Sequence, residues 1–174
     1  MDTLLAQEIY RTAHLTGSFR LRSGKVSTDY FDKYMFESDP GLLNRITDRL
    51  LPLIPDNTEL LAGLELGGIP IATALSLKTG IPVLFVRKKA KEYGTCKLAE
   101  GMPLAGKNVC IIEDVVTTGG QIVLSADDMR ALGAQVAHAV CVIQREDAAQ
   151  AHLSANGLQL TALFTFEDLM LAFN

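Results

Sequence analysis

The chain has 174 residues, 48% of them hydrophobic and 21% charged, with a formal net charge of -4. That length holds one domain with a sizeable core and cramps a second, and the composition excludes a disordered chain. The acidic balance excludes a surface built throughout for nucleic acid or an anionic membrane, so any basic patch needs a local explanation.

No apolar run approaches the roughly 18 residues that span a bilayer. The N-terminus, MDTLLAQEIYRTAHL, is acidic where a signal peptide is basic, so a cytoplasmic protein is expected. Cys96, Cys110 and Cys141 have no CxxC spacing, which indicates neither a disulfide framework nor a zinc site. Cys110 and Cys141 sit in apolar runs and read as core.

In chain order, Leu5, Ile9 and Ala13 recur at helical spacing, and Gly17 is a natural stop. FRLRSGKVSTDYFDKY follows, with a Ser-Gly turn at 23-24, and reads as a hairpin. Asp39-Pro40 starts a helix carrying Leu42, Ile46, Leu50 and Leu53, which Pro52 and Pro55 end. Apolar runs then alternate with helical segments: 59-64, a helix opening at GGIP, 81-86, 109-112, a helix over 121-132, 136-143 and 158-164. Runs without polar alternation are strands covered on both faces, the pattern of a parallel sheet. The expected fold is α/β, a single domain over 1-174 with a mainly parallel, doubly wound sheet and a small N-terminal cap over 1-40. Between two core strands lies a polar loop, 87-108, far longer than ordinary connections and therefore expected to be functional or mobile.

Val109 to Gln121 reads VCIIEDVVTTGGQ. Ligands of an open parallel sheet bind beyond the carboxyl ends of its strands, where this run puts Glu113 and Asp114. Val115 and Val116 lead into Thr117, Thr118, Gly119, Gly120 and Gln121, a turn whose amides, hydroxyls and helix N-terminus suit one anion. A phosphate in the turn and a polyol or metal at the carboxylates fit together, as in a sugar phosphate. A capped helix start with two solvated acids is the alternative, and neither GxxxxGK[ST] nor GxGxxG is present.

This segment resembles the phosphoribosyl-pyrophosphate (PRPP) motif of the type I phosphoribosyltransferases. FRLRSGKVSTDYF, GLELGGIP and VRKKAKEYG, met in order, extend the resemblance to the orotate phosphoribosyltransferases within that family. It implies that the loop at 87-108 closes over the active site, commonly that of a neighbouring subunit in a homodimer, and brings Arg87, Lys88 and Lys91 to the pyrophosphate. Lys88, Lys91 and Asp114 would then be the catalytic residues. Tyr93 stands where many members have histidine and cannot carry positive charge at neutral pH. Gly67 and Gly68 are assigned to pyrophosphate through their backbone, some members having lysine at the position of Gly67. Arg22 aligns with a basic residue near PRPP, Tyr30 and Phe31 with residues lining the orotate pocket, and Arg145 with a group that binds the orotate carboxylate.

The implied reaction is displacement at the anomeric carbon of PRPP, with orotidine 5'-monophosphate and pyrophosphate as products in pyrimidine (UMP) biosynthesis. Magnesium would bridge substrate oxygens, and no protein metal site is expected. Two other readings stay open: a phosphoribosyltransferase for another base such as adenine or uracil, and a PRPP-sensing regulator of nucleic acid. The net negative charge and the few residues before the first site segment set the expectation of no nucleic-acid partner.

Overall fold

A computed structural model of the protein describes residues 2-20, 26-88 and 98-173. Helix α1 (Thr3–Ala13) starts at Asp2, whose side chain accepts the Leu5 N–H, and buries Leu5, Ile9 and Ala13. It stops at Ala13 and not at Gly17, because His14 is already extended and pairs with Phe31. Strands β1 (His14–Arg20) and β2 (Val26–Phe31) form the expected antiparallel pair. Helix α2 (Tyr34–Ser38), which the sequence pattern does not announce, leads into α3 (Pro40–Leu50). Asp39 caps α3 by accepting the Leu42 N–H at 2.8 Å, and Pro40 occupies the first turn, where its missing N–H costs nothing.

The main sheet is built from β3 (Leu60–Leu64), β4 (Val83–Val86), β5 (Ala99–Gly101), β6 (Asn108–Val116), β7 (Gln135–Gln144) and β8 (Gln159–Thr165). Their order is β5-β4-β3-β6-β7-β8, with β5 antiparallel to β4 and every other pairing parallel. Helices α4 (Gly68–Thr79), α5 (Gly120–Ala131) and α6 (Ala148–Ala155) connect parallel strands, and α7 (Phe166–Phe173) closes the chain. The sheet is thus mainly parallel and doubly wound.

Strand residues alternate between two cores. Leu61, Cys110, Ile112, Val140 and Phe164 pack with α1, α3, α4 and α7. Ala62, Ile111, Ala139 and Cys141 pack with Ile122, Ala126 and Met129 of α5 and Leu153 of α6. The N-terminal helix is therefore built into one of the two cores: Ile9 shares it with Ile46, Phe36 and Leu169.

This winding sets the site. From β3 the chain crosses outward through α4 to β4, whereas from β6 it crosses the other way through α5 to β7. The connections diverge between the neighbours β3 and β6, which opens a crevice at their carboxyl ends.

Candidate active site

A pocket of about 500 Å³ occupies that crevice, of a size ordinary for small-molecule sites. The end of β6 and the following turn supply most of its wall: Glu113, Asp114, Val115, Val116, Thr117, Thr118, Gly119, Gly120 and Gln121 all line it. Glu65 and Leu66 face them from the end of β3, with Lys88 beyond β4 and Lys33 and Tyr34 from the segment entering α2.

The turn is shaped for an anion. Gly119 adopts φ +77°, a left-handed conformation that side chains resist, and a Cβ there would lie 2.9 Å from Leu153. Among the described residues no side chain caps α5, so its first amides, at Gly120 and Gln121, lie at the pocket without the partner that a serine or aspartate cap would give. The exposed Thr117 and Thr118 add hydroxyls.

The two acids differ. Asp114 is fully buried: its Oδ1 accepts the Val115 N–H, and its Oδ2 lies 2.6 Å from Lys33 Nζ. Burial alone would lower Lys33, but bonding to Asp114 and the charges of Asp114 and Glu113 raise it above its ordinary value. Glu113 accepts the Asp114 N–H at 3.2 Å. Burial, and then the Asp114 charge, push its carboxyl up to about 8. Behind Asp114 stands Glu37 of α2, only 7% exposed and pushed up to about 9 by burial and by Asp114.

The turn after β3 comes very close to these acids. Its Glu65-Leu66 peptide is cis. A Cβ at Gly67 would lie 1.5 Å from Asp114 Oδ2, and one at Gly68 would lie 2.2 Å from the Ile112 carbonyl oxygen. Both glycines are buried behind the pocket wall, which Leu66 forms.

Glu65 also anchors the start of the basic segment. Its Oε1 accepts the Lys88 N–H at 2.6 Å, and Arg87 N–H bonds Leu98 O at 2.9 Å, joining the ends of the connection between β4 and β5. Arg87 Nε is buried without a partner among the described residues. Arg22, Lys91 and Tyr93 lie outside the described residues.

Arg145 follows β7, its N–H bonded to Val116 O at 2.8 Å, and its exposed guanidinium lies 5.4 Å above the Phe166 ring. Phe166 meets Phe31 edge-on at 5.7 Å, so Phe31 and Arg145 share one aromatic contact. Tyr30 precedes Phe31 in β2, so it points to the other face, where it stacks on Phe19 at 5.4 Å. None of these residues lines the 500 Å³ pocket.

Sequence reasoning missed Lys33, Glu37 and Glu65. Lys33 stands in the quoted hairpin segment, yet its partner Asp114 is far along the chain and no spacing rule connects them. The donor set does not make a metal cage, since among the described residues no group of three or more His, Cys, Asp or Glu could hold a metal ion. With Asp114 paired to Lys33, it fits an ion carried on a substrate's own oxygens.

Residues 42–156 match the family described as phosphoribosyl transferase domain. The chain is 52% identical over 169 residues to an orotate phosphoribosyltransferase of Nocardioides sp., covering 97% of this chain and 94% of that one. It is 41% identical over 171 residues to one of Methanocella arvoryzae, covering 98% of each. A crystal structure of Mycobacterium tuberculosis orotate phosphoribosyltransferase in complex with PRPP aligns with a TM-score of 0.81 at 26% identity, covering 97% of this chain and 98% of that one. The chain belongs to the phosphoribosyltransferases, and among them to the orotate phosphoribosyltransferase family.

Proposed function

We infer that the protein transfers the 5-phosphoribosyl group of PRPP to orotate, giving orotidine 5'-monophosphate and pyrophosphate in pyrimidine biosynthesis. The observation that carries this reading is that the uncapped start of α5 and the acidic pair Glu113-Asp114 line one crevice, a combination that suits a sugar bearing a phosphate.

In this assignment the 5'-phosphate sits in the Thr117–Gln121 turn, between the strand end at Val115 and Val116 and the helix. Asp114 and Glu113 hold the ribose hydroxyls, and Asp114 lies near the positive charge that develops at the anomeric carbon. The pyrophosphate is met by Arg87, Lys88 and Lys91, by Arg22 and by the turn at Leu66, whose wall the amides of Gly67 and Gly68 must reach past to contribute. Tyr93 can donate one hydrogen bond to it. Phe31 lines the orotate ring on the side it shares with Arg145, Tyr30 borders the site from the other face of β2, and Arg145 binds the orotate carboxylate, a planar anion that a guanidinium grips at two points.

A ring nitrogen of orotate attacks the anomeric carbon, whose bond to pyrophosphate breaks through an oxocarbenium-like transition state. Such a step needs charge stabilisation and alignment more than a strong base. Magnesium bound to the substrate's oxygens would supply further positive charge at the leaving group. Lys88 and Lys91 neutralise the charge growing there.

The reading extends to a cytoplasmic homodimer, a single domain in which the 87-108 segment, anchored in its own sheet by β5, carries a loop that serves the partner's site, and the 1-40 segment, with α1 packed into the core, forms a hood. Among the described residues no helix is long and apolar enough to cross a membrane. Asp114→Asn tests the assignment. PRPP binding, titrated with magnesium present, should weaken about tenfold or more while the thermal unfolding transition stays cooperative. Unchanged PRPP affinity would move the sugar site elsewhere.

A further inference from the structure

Glu37 has no place in that chemistry, yet among the described residues it and Asp114 are the two buried charged side chains. Among the described residues, Glu37 Oε1 and Asp114 Oδ2 are both buried without a hydrogen-bond partner, the ion pair of Lys33 with Asp114 Oδ2 apart. They converge on one point: a Cβ at Gly67 would lie 2.7 Å from the first and 1.5 Å from the second. Two carboxyl oxygens so placed cannot both be ionised without a strong like-charge penalty, so one of them carries a proton.

The surroundings decide which. Asp114 has the Val115 N–H on Oδ1 and the Lys33 ammonium 2.6 Å from Oδ2, so both of its oxygens already face donors. That ammonium occupies one side of Oδ2, and the oxygen's second lone pair is left able to accept a proton donor. Glu37 Oε1 has neither kind of support, and the groups acting on Glu37 are Asp114 and Glu113 from β6 and Lys33 from the segment before α2. Burial and Asp114 push it up to about 9, in keeping with a neutral acid.

We propose that Glu37, as a neutral acid donating to Asp114 Oδ2, and Lys33, as its counter-charge, are positioning residues that hold Asp114 in one orientation as an acceptor for the ribose hydroxyls. The proposal rests on the assignment of Asp114 to those hydroxyls made above. Its consequence is selective: the pair tunes recognition of PRPP and leaves orotate recognition alone. Gly67 completes the device, because any side chain there would occupy the space in which the two carboxyls meet.

Steady-state kinetics of Glu37→Gln, Glu37→Leu and Lys33→Met, alone and combined with Asp114→Asn, test it. Glutamine keeps a donor facing Asp114, so Glu37→Gln should hold the KM for PRPP within about threefold, whereas Glu37→Leu and Lys33→Met should raise it about tenfold to a hundredfold, the span of one hydrogen bond to a charged group. The KM for orotate should stay within about twofold throughout, and on the Asp114→Asn background the effects of Glu37→Leu and Lys33→Met should vanish. An unchanged PRPP KM in Glu37→Leu, or a Glu37→Gln as impaired as Glu37→Leu, overturns the proposal. Should Glu37→Leu not fold, Lys33→Met decides, since its side chain is one-third exposed: a parental PRPP KM overturns the proposal and a selective rise supports it. If Asp114→Asn itself leaves the PRPP KM unchanged, the underlying assignment has failed. If Asp114→Asn is impaired and the other variants are not, only the positioning role has failed.

Discussion

Replacing Gly68 by alanine adds one methyl group where the site has no room for it. Its Cβ would lie 2.2 Å from the Ile112 carbonyl oxygen and 3.2 Å from the carbonyl carbon, so the clash is with the β6 backbone and no side-chain rotation relieves it. The start of α4 must then withdraw from β6 by about 1 Å, against an overpacking cost of about 1–3 kcal/mol. Alanine's better helix propensity returns somewhat less than about 1 kcal/mol, so a net loss of about 1–2 kcal/mol is expected. For a chain of this size that lowers the midpoint of thermal unfolding by about 2–8 °C. Withdrawal also displaces the Glu65–Gly67 turn at the pocket wall. Misplacement by about 1 Å can cost about a hundredfold in rate, so kcat/KM for PRPP should fall by one to two orders of magnitude. Gly80→Ala is the control. Gly80 ends α4 at φ +76° with nothing within 4 Å of an added Cβ, so it should lose about 1 kcal/mol with unchanged kinetics. Urea unfolding and steady-state kinetics on both variants decide the matter. A Gly68→Ala protein with parental stability and parental PRPP kinetics would refute the close-approach argument.

Arg145→Ala should raise the KM for orotate about a hundredfold while the KM for PRPP stays within about twofold, as expected for loss of a bidentate contact to one substrate; a rise in both equally would place Arg145 elsewhere. Stability should carry a pH signature from Glu37, which is raised from 4.5 to about 9. Its neutral form is favoured in the folded state, so its contribution is complete below about pH 4.5 and is lost as pH rises toward 9, with a slope of at most about 1.4 kcal/mol per pH unit. Urea unfolding at pH 6 and pH 8 should therefore show the parent losing more stability than Glu37→Gln over that interval, and equal losses would contradict a buried neutral acid.

What the sequence discloses here is what depends on neighbours in the chain. The Asp39-Pro40 start of α3, the apolar run of β6 and the Thr117–Gln121 turn are set by local chemistry, and all could be read directly. Helix α7 was legible too, and missed: Thr165 and Asp168 cap each other's N–H groups, a reciprocal pattern written in TFED. Strand β5 was not, because three residues, AEG, become a strand only by pairing with β4. The same holds for the site. Asp114 announced itself as half of an acidic pair at a strand end, whereas Lys33 and Glu37 reach it from another element entirely and acquire meaning only when the hairpin and α2 pack against β6. Phe166, which supports both Arg145 and Phe31, is likewise a product of folding.

The most direct test of the central claim is to mix the purified protein with orotate, PRPP and magnesium and follow the loss of orotate's ultraviolet absorbance, with adenine and uracil tried in parallel. Consumption of orotate that requires both PRPP and magnesium, and no consumption of the other bases, is the predicted result. Consumption of adenine or uracil in its place, or of no base at all with PRPP still bound, would contradict it.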